Sequence, residues 1–132
     1  MRAPSCILNM SSIILIQNLD KKIKAPPQVT FCDSFICRLR GLMFRSELHE
    51  DEGLLLVIER DSRIDSSIHM LFVHFDLAVF WINSGMEVVD KRIARSWQPA
   101  YFPAKAARYI LEIHPARIDD FKVGQKVEFL NA

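Results

Sequence analysis

Three arginines lie close together around a glycine, and this cluster has the clearest chemical potential in the chain. Arg38, Arg40 and Arg45 surround the segment Gly41-Leu42-Met43. Guanidinium groups near a helix end and a glycine can hold a carboxylate or a phosphate through paired hydrogen bonds. We therefore predict an anion or small-ligand site in this segment. The alternative is that the arginines form an ordinary solvated surface.

His69 is the candidate general base, because an imidazole titrates near neutral pH. Together with Asp76 or Cys37 it would give a hydrolase-like enzyme, in which a thiolate of Cys37 is favoured by the nearby Arg38 and Arg40. The alternative interpretation is structural for both residues. His69 then caps a loop by hydrogen bonding, and Cys37 is a buried, inert cysteine.

Trp97 lies with Pro99 and Tyr101 in a proline-rich segment. It could form an exposed aromatic ledge for a partner or ligand, or it could close one end of a barrel. Small barrels bind ligands at one end, where polar residues follow the strands. The predicted binding residues are therefore Arg38, Arg40, His69 and Trp97.

No cofactor and no metal site is predicted. The glycines are scattered singly, so there is no phosphate-binding loop, and the cysteines form no C-x-x-C pairs.

The chain has an odd number of cysteines, namely Cys6, Cys32 and Cys37, so they cannot all pair within one chain. If Cys32 and Cys37 flank and enter a short helix, their Cβ atoms diverge, so we expect no bridge between them. Reduced thiols predict a cytoplasmic location.

Length and composition indicate one globular domain. The chain has 132 residues, of which 50% are hydrophobic and 25% charged, with a net charge of +1. This balance gives no general attraction to nucleic acid or to an anionic membrane, and we predict neither as a partner. The apolar runs are shorter than the roughly 18 to 20 residues of a membrane-spanning helix. We predict a loose extension over residues 1–11 and a single domain over residues 12–132.

The longest alternating segment predicts the sheet that must position these residues. The odd positions from Leu71 to Trp81 are all apolar, which is typical of a half-buried strand with His74 and Asp76 on its opposite face. Asn83-Ser84-Gly85 then predicts a hairpin turn into a second strand.

One short helix is predicted between the N-terminal strands and the alternating segment. Asp33-Ser34 supplies an N-cap, Phe35, Ile36 and Leu39 form an apolar stripe at helical spacing, and Gly41 ends the helix. The other segments are short strands separated by Gly and Pro turns. The predicted fold is therefore mainly β, a compact sandwich or barrel of short strands with one or two short helices.

The chain resembles the family called domain of unknown function 192. The match covers nearly everything after Ser12. Its segments are Arg38-Leu39-Arg40-Gly41-Leu42-Met43-Phe44-Arg45 with Leu48, Glu52-Gly53-Leu54-Leu55-Leu56-Val57, Ser67-Ile68-His69 with the following aromatic strand, the hairpin to Val88-Val89, Ala94-Arg95-Ser96-Trp97-Gln98-Pro99, Ala107-Arg108-Tyr109-Ile110-Leu111-Glu112 and Val123-Gly124-Gln125-Lys126-Val127. The resemblance implies a small, mainly-β prokaryotic domain without an established activity, cofactor or substrate. Family members often carry a proline where this chain has Asp76 and an aspartate where it has Ala78, so a catalytic role does not carry over directly to this strand.

We therefore expect a small β-rich binding or accessory domain. The competing hypotheses are the hydrolase-like enzyme and a protein-interaction module. The latter would present an unpaired strand edge near Pro26-Pro27 to a protein partner.

Overall fold

A curled, seven-stranded sheet makes up most of the computed structural model, which describes residues 13–131. The predicted extension over residues 1–11 lies outside the described residues. The strands are β1 (Ile13–Asn18), β2 (Gln28–Cys32), β3 (Glu52–Ser62), β4 (Leu77–Ile82), β5 (Val88–Ala94), β6 (Ala107–Ile113) and β7 (Val127–Asn131). A helix, α1 (Phe35–Arg40), and a 3-10 turn (Pro115–Arg117) complete the described elements. The prediction of a mainly-β fold is confirmed.

The strand order across the sheet is β5-β4-β6-β3-β2-β1-β7. Neighbouring strands are antiparallel except for β2 and β3, which are parallel. The two outermost strands approach each other at one end. There the Val88 amide donates to the Gln125 carbonyl at 2.9 Å, and the Val127 amide donates to the Met86 carbonyl at 2.9 Å. The sheet is therefore a half-barrel with its open side between β5 and β7.

Both faces of the central strands are buried, and each face has its own hydrophobic cluster. The inner cluster draws on strands throughout the sheet and includes Ile14, Leu55, Phe80, Leu111 and Phe129. The outer cluster lies on the opposite face of β3, β4 and β6, where α1 and two long loops cover it. Its members include Leu42, Leu54, Leu56, Met70, Val79, Trp81 and Ile110.

The long strand predicted from residue 71 onward is wrong in its first half. β4 begins only at Leu77, and all six of its residues are buried, so it is not half-buried. Phe72 has a φ of 61°, which a strand cannot accommodate, and the Val73 amide turns back to the Met70 carbonyl at 3.1 Å. The alternation before Leu77 therefore does not put His74 and Asp76 on one strand face.

The ends of α1 follow the sequence prediction, but its packing does not. The Ser34 side chain accepts a hydrogen bond from the Cys37 amide, and Gly41 ends the helix at a φ of 49°. No residue of α1 is buried, and Phe35 and Ile36 are 68% and 67% exposed. The predicted apolar stripe thus faces solvent. Among residues 13–131 no helix has the length and apolar character needed to cross a membrane.

A disulfide joins Cys32, the last residue of β2, to Cys37 in α1, with a Cα–Cα distance of 5.7 Å. The expectation that these cysteines stay unbridged is therefore wrong. The turn at Asp33-Ser34 folds α1 back against the end of β2, which brings the two Cα atoms within bridging distance. Reduced thiols were the basis of the predicted cytoplasmic location, and the bridge removes that basis.

The turn after β4 agrees with the prediction. The Asn83 amide donates to the Glu87 carbonyl at 3.0 Å and the Met86 amide donates to the Asn83 carbonyl at 2.9 Å, which closes a tight hairpin into β5. The hairpin fixes the register of β4, and β4 in turn supports one side of β6.

Candidate functional site

A small cavity of about 80 Å³ lies between the outer face of the sheet and the segments that cover it. Its floor comes from β3 and β6, and its rim comes from α1 and the loop before β4. Three of the predicted binding residues, Arg38, Arg40 and His69, line this one cavity. The other lining side chains that matter here are Leu42, Leu56, Met70, Val73, Ile110 and Glu112.

Glu112 is the buried carboxylate at the floor of this cavity. It lies in the central strand β6, where its Cα pairs with Leu54 of β3 and Val79 of β4. Both partners belong to the outer cluster, so the Glu112 side chain points to the cavity side of the sheet. Glu112 is 5% exposed, and the described residues offer its carboxylate no hydrogen bond or ion pair.

Burial raises the pKa of Glu112 to about 7. In the described part of the chain, no fully enclosed side-chain oxygen or nitrogen lacks a partner. The carboxylate oxygens of Glu112 therefore open onto the cavity, where a bound group can reach them. A carboxyl group of this kind is able to pair with a cation, to accept a hydrogen bond or to exchange a proton near neutral pH.

Gly41 forms the wall opposite this carboxylate. Its amide donates to the Cys37 carbonyl at 2.8 Å, which closes α1. A Cβ built on Gly41 would lie 3.9 Å from Oε1 of Glu112. The positive φ that ends the helix thus also brings bare backbone close to the buried acid.

The arginines have different roles. Nη1 of Arg38 donates to the carbonyls of Asp33 at 2.6 Å and Val57 at 3.2 Å, so Arg38 fastens α1 to β3. Arg45 pairs with Glu52 at 2.7 Å, outside the cavity. Arg40 is exposed at the cavity rim and makes no side-chain hydrogen bond or ion pair within residues 13–131. Arg40 is therefore the arginine available to a ligand.

His69 uses both ring nitrogens to shape the rim. Nδ1 accepts a hydrogen bond from the Leu71 amide at 3.2 Å, so Nε2 is the donor to the Leu39 carbonyl at 3.3 Å. These contacts join the loop before β4 to the end of α1. The arrangement matches the structural alternative for His69, in which the imidazole caps a loop.

The partners proposed for an enzymatic His69 are engaged elsewhere. Cys37 is in the disulfide, so it has no thiol to ionise in this state. Asp76 accepts hydrogen bonds from the Ser96 amide and from Arg95, both at 2.9 Å, and these lower its pKa. Neither residue forms a hydrogen bond or ion pair with His69 among the described residues.

Trp97 does not line the cavity. It is 48% exposed, so it does not close an end of the half-barrel, and its ring packs edge-on against Phe72 at 4.9 Å. Phe72 in turn packs against Phe44 at 5.2 Å. All three aromatic residues have φ between 61° and 68° and project from separate loops. They form an exposed aromatic cluster beside the covering layer.

The part of the chain from 13 to 131 contains no group of three or more His, Cys, Asp or Glu side chains placed to hold a metal ion. The cavity lining includes a second carboxylate, that of Asp65, but Asp65 is exposed, so Glu112 is the buried acid of the cavity. A ligand group with a positive charge or with hydrogen-bond donors would stabilise the Glu112 carboxylate.

The profile of one protein family, domain of unknown function 192, described as an uncharacterised ACR, matches residues 16–129. The chain belongs to this family. The match spans the whole sheet except the first residues of β1 and the last residues of β7, and it includes every residue that lines the Glu112 cavity.

Relatives of this family member include UPF0127 proteins of archaea. One from Pyrococcus furiosus is 34% identical over 114 residues, which cover 85% of this chain and 95% of the relative. One from Thermococcus gammatolerans is 40% identical over 84 residues, or 64% of this chain and 53% of the relative. In this match and in that to a Thermococcus kodakarensis protein, the chain spans about half the length of the relative.

Two solved structures share the fold of this family member. A Sinorhizobium meliloti 1021 protein proposed to be a transcription regulator has a TM-score of 0.78 at 15% identity, covering 90% of this chain and 93% of the other. A protein of unknown function from Novosphingobium aromaticivorans has a TM-score of 0.74 at 18% identity, covering 89% and 84%. At these identities the likeness concerns the fold alone.

Glu112 was missed in the sequence analysis as a site residue. A signal was present, since the segment Tyr109-Ile110-Leu111-Glu112-Ile113 places one acid within an otherwise apolar strand. A strand buried on both faces has no solvent-facing position for a carboxylate. The acid therefore had to be either partnered or functional, but only the sheet order shows that β6 is central.

Proposed function

We propose that this protein is a binding domain for a small, positively charged or zwitterionic molecule. The cationic group of the ligand, an amine or a guanidine, pairs with Glu112 at the cavity floor. Its anionic or polar end meets Arg40 at the rim. The observation that carries this proposal is the buried carboxylate of Glu112, which has no partner among the described residues and opens onto a cavity.

The energetics of burial support a cationic partner. A buried carboxylate without a partner costs stability, and an incoming ammonium or guanidinium group offsets part of that cost through a charge-assisted hydrogen bond. A free anion at the floor would face repulsion from ionised Glu112. The predicted anion site therefore fits the rim at Arg40 and not the floor.

The shape of the cavity supports a small ligand. Its volume of about 80 Å³ holds a single small head group, and its lining combines apolar side chains such as Leu56 and Ile110 with polar ones such as Asp65. Gly41 keeps the wall beside Glu112 free of a side chain. His69 keeps the rim in place through Leu39 and Leu71, so that its role is to position the loop.

The test is a thermal-shift and calorimetric screen with methylammonium, guanidinium, glycine and acetate, each at about pH 6 and about pH 8, on either side of the raised pKa. We expect the cations and glycine to stabilise the wild type, and more strongly at the higher pH, where Glu112 is ionised. Glu112→Gln should abolish the stabilisation. Arg40→Gln should weaken glycine binding and leave methylammonium binding unchanged.

Glu59→Gln is the matched control, since Glu59 is an exposed glutamate of β3 outside the cavity. It removes one carboxylate without touching the floor. The proposal is wrong if the cations stabilise Glu112→Gln as much as the wild type. It is equally wrong if none of the cationic or zwitterionic probes binds the wild type.

A second candidate function is proton transfer, and the raised pKa of Glu112 favours it. A carboxyl group with a pKa of about 7 is able to act as acid or base on a small substrate held in the cavity. This version of the hydrolase-like hypothesis uses Glu112 in place of His69 with Asp76 or Cys37. It predicts turnover that depends on Glu112, whereas simple binding predicts a ligand recovered unchanged after incubation with the protein.

A further inference from the structure

A second concavity lies inside the half-barrel, on the other face of the sheet from the Glu112 cavity. It is a groove of about 660 Å³, within the size range of small-molecule sites. The groove is lined by the end of β2, the middle of β3, the start of β6 and most of β7, beside the hairpin between β4 and β5. Its apolar lining consists of Leu19, Phe31, Val57, Met86, Tyr109, Val127 and Phe129.

The groove extends the inner hydrophobic cluster towards solvent. Val57 and Phe129 are 8% and 7% exposed, whereas Phe31, Met86 and Tyr109 are only partly buried against that cluster. Tyr109 and Phe129 meet edge to face, with ring centroids 5.0 Å apart. An apolar chain laid in the groove would therefore continue an existing packed core and would bury side chains that now contact water.

Arg108 and Tyr109 form a neighbouring pair of polar side chains in the groove lining. The Arg108 guanidinium carbon lies 5.3 Å from the centre of the Tyr109 ring, and Nε donates to the Ile58 carbonyl at 3.0 Å. These contacts hold the guanidinium, while its two terminal nitrogens make no hydrogen bond within residues 13–131. The Tyr109 hydroxyl likewise has no partner among the described residues.

The other charged lining residues are Lys126 and Glu128, and Glu128 has no ion pair among the described residues. Nζ of Lys126 lies 3.5 Å from a carboxylate oxygen of Glu87, so this cation already has a partner. Arg108 is thus the positively charged lining residue without an ion pair in the described chain. A fixed guanidinium beside a tyrosine hydroxyl suits a carboxylate, which accepts hydrogen bonds from both.

We infer that this groove binds a small amphipathic anion, a fatty-acid-like carboxylate whose head group is held by Arg108 and Tyr109 and whose tail lies along Phe31, Val57 and Phe129. The site is separate from the Glu112 cavity. The two sites differ in the charge that they offer a ligand. The Glu112 cavity presents a buried carboxylate, whereas the groove presents the guanidinium of Arg108 beside apolar side chains.

The experiment is a titration of the whole chain with dodecanoate and, in parallel, with dodecan-1-ol below their aggregation limits, followed by methyl NMR and calorimetry. Dodecanoate should shift the methyl signals of Leu19, Val57 and Val127 and leave those of Leu42 and Val73, in the other cavity, in place. Arg108→Gln should weaken dodecanoate binding about tenfold, because a charge-assisted hydrogen bond is lost, and leave dodecanol binding unchanged. Arg108→Lys should retain most of the affinity.

Two further variants make the result decisive. Leu19→Glu adds a negative charge at an exposed position of the rim, 59% accessible, and should weaken dodecanoate binding even if Arg108→Gln fails to fold. Glu112→Gln should bind dodecanoate as the wild type does, because Glu112 does not line the groove. This result does not depend on whether the Glu112 cavity binds a cation. Absence of dodecanoate binding, equal binding of both probes to wild type and Arg108→Gln, or shifts confined to Leu42 and Val73 would each overturn the inference.

Discussion

A methyl group on Gly41 would lie 3.9 Å from Oε1 of Glu112, so the residue that ends α1 also faces the buried acid of β6. The relationship joins the two parts of the candidate site. The helix end supplies the wall and the central strand supplies the charge. A side chain added at Gly41 would therefore contact the Glu112 carboxylate.

Gly41→Ala should destabilise the protein by about 1 to 2 kcal/mol, because a φ of 49° is unfavourable for a residue with a Cβ. Its methyl group should also weaken binding of methylammonium at the cavity floor. Gly124→Ala is the control, since Gly124 has a φ of 96° and nothing within 4 Å of its added Cβ. Urea unfolding and calorimetry should show a stability loss in both variants but a loss of binding only in Gly41→Ala.

The raised pKa of Glu112 makes stability dependent on pH. Unfolding returns the carboxyl group to its ordinary pKa of 4.5, so between pH 4.5 and about 7 the native state holds a proton that the unfolded state releases. The free energy of unfolding should therefore fall as pH rises through this window. The loss attributable to Glu112 is about 3 kcal/mol, and it is complete above pH 7.

Glu112→Gln should remove that component of the pH dependence. Urea unfolding at about pH 5 and about pH 8 measures it, because the two proteins share every other titrating group. The difference in unfolding free energy between variant and wild type should grow in favour of the variant as pH rises. A difference that stays constant with pH would mean that Glu112 is ionised throughout and that another group compensates its charge.

The disulfide predicts a thiol count. Unfolded but unreduced protein should show one reactive thiol per chain, that of Cys6, and three after reduction. Titration with dithionitrobenzoate measures both values. Reduction should lower the free energy of unfolding by about 2 kcal/mol, as loop entropy predicts for such a short ring. A Cys32→Ser/Cys37→Ser protein should be insensitive to reductant, and three thiols without reduction would contradict the bridge.

Trp81 holds the loop before β4 against the sheet. It is fully buried, and its indole Nε1 donates to the Ser66 carbonyl at 2.7 Å. Trp81→Phe removes this donor, leaves the carbonyl unpaired and opens a void, which should cost about 2 to 4 kcal/mol. Chemical denaturation measures the loss. Trp97→Phe, at the half-exposed tryptophan, should cost well under half as much, and equal costs would argue against this role for Trp81.

The helix shows how far local sequence signals reach. Ser34 and Gly41 were correctly predicted as its ends, because capping depends on the backbone of a few neighbouring residues. The direction of its apolar side chains was not, since it depends on where a six-residue helix lies relative to the sheet. Residues 71–76 show the same limit of local signals. Their alternating apolar and polar residues predict a strand, but the segment forms turns because Phe72 adopts a positive φ.

The candidate site depends both on residue types, which the sequence shows, and on their placement, which only the structure shows. Arg40 and His69 stood out by residue type, and the structure places them at one cavity. Glu112 was overlooked, because one acid in a strand acquires meaning only when both neighbouring strands are known to be present. Trp97 was grouped with them, but it packs with Phe72 outside the cavity.

The sequence by itself determined the mainly-β class, the hairpin after β4, the ends of α1 and the family, since these follow from short-range spacing and from contiguous motifs. Only the tertiary structure decided that β6 is central, that Glu112 is buried without a partner, and that Cys32 and Cys37 meet. The physical reason is that burial, pKa and bridging distance depend on which segments come together across the sheet. Those long-range pairings are not encoded in the spacing of residues along the chain.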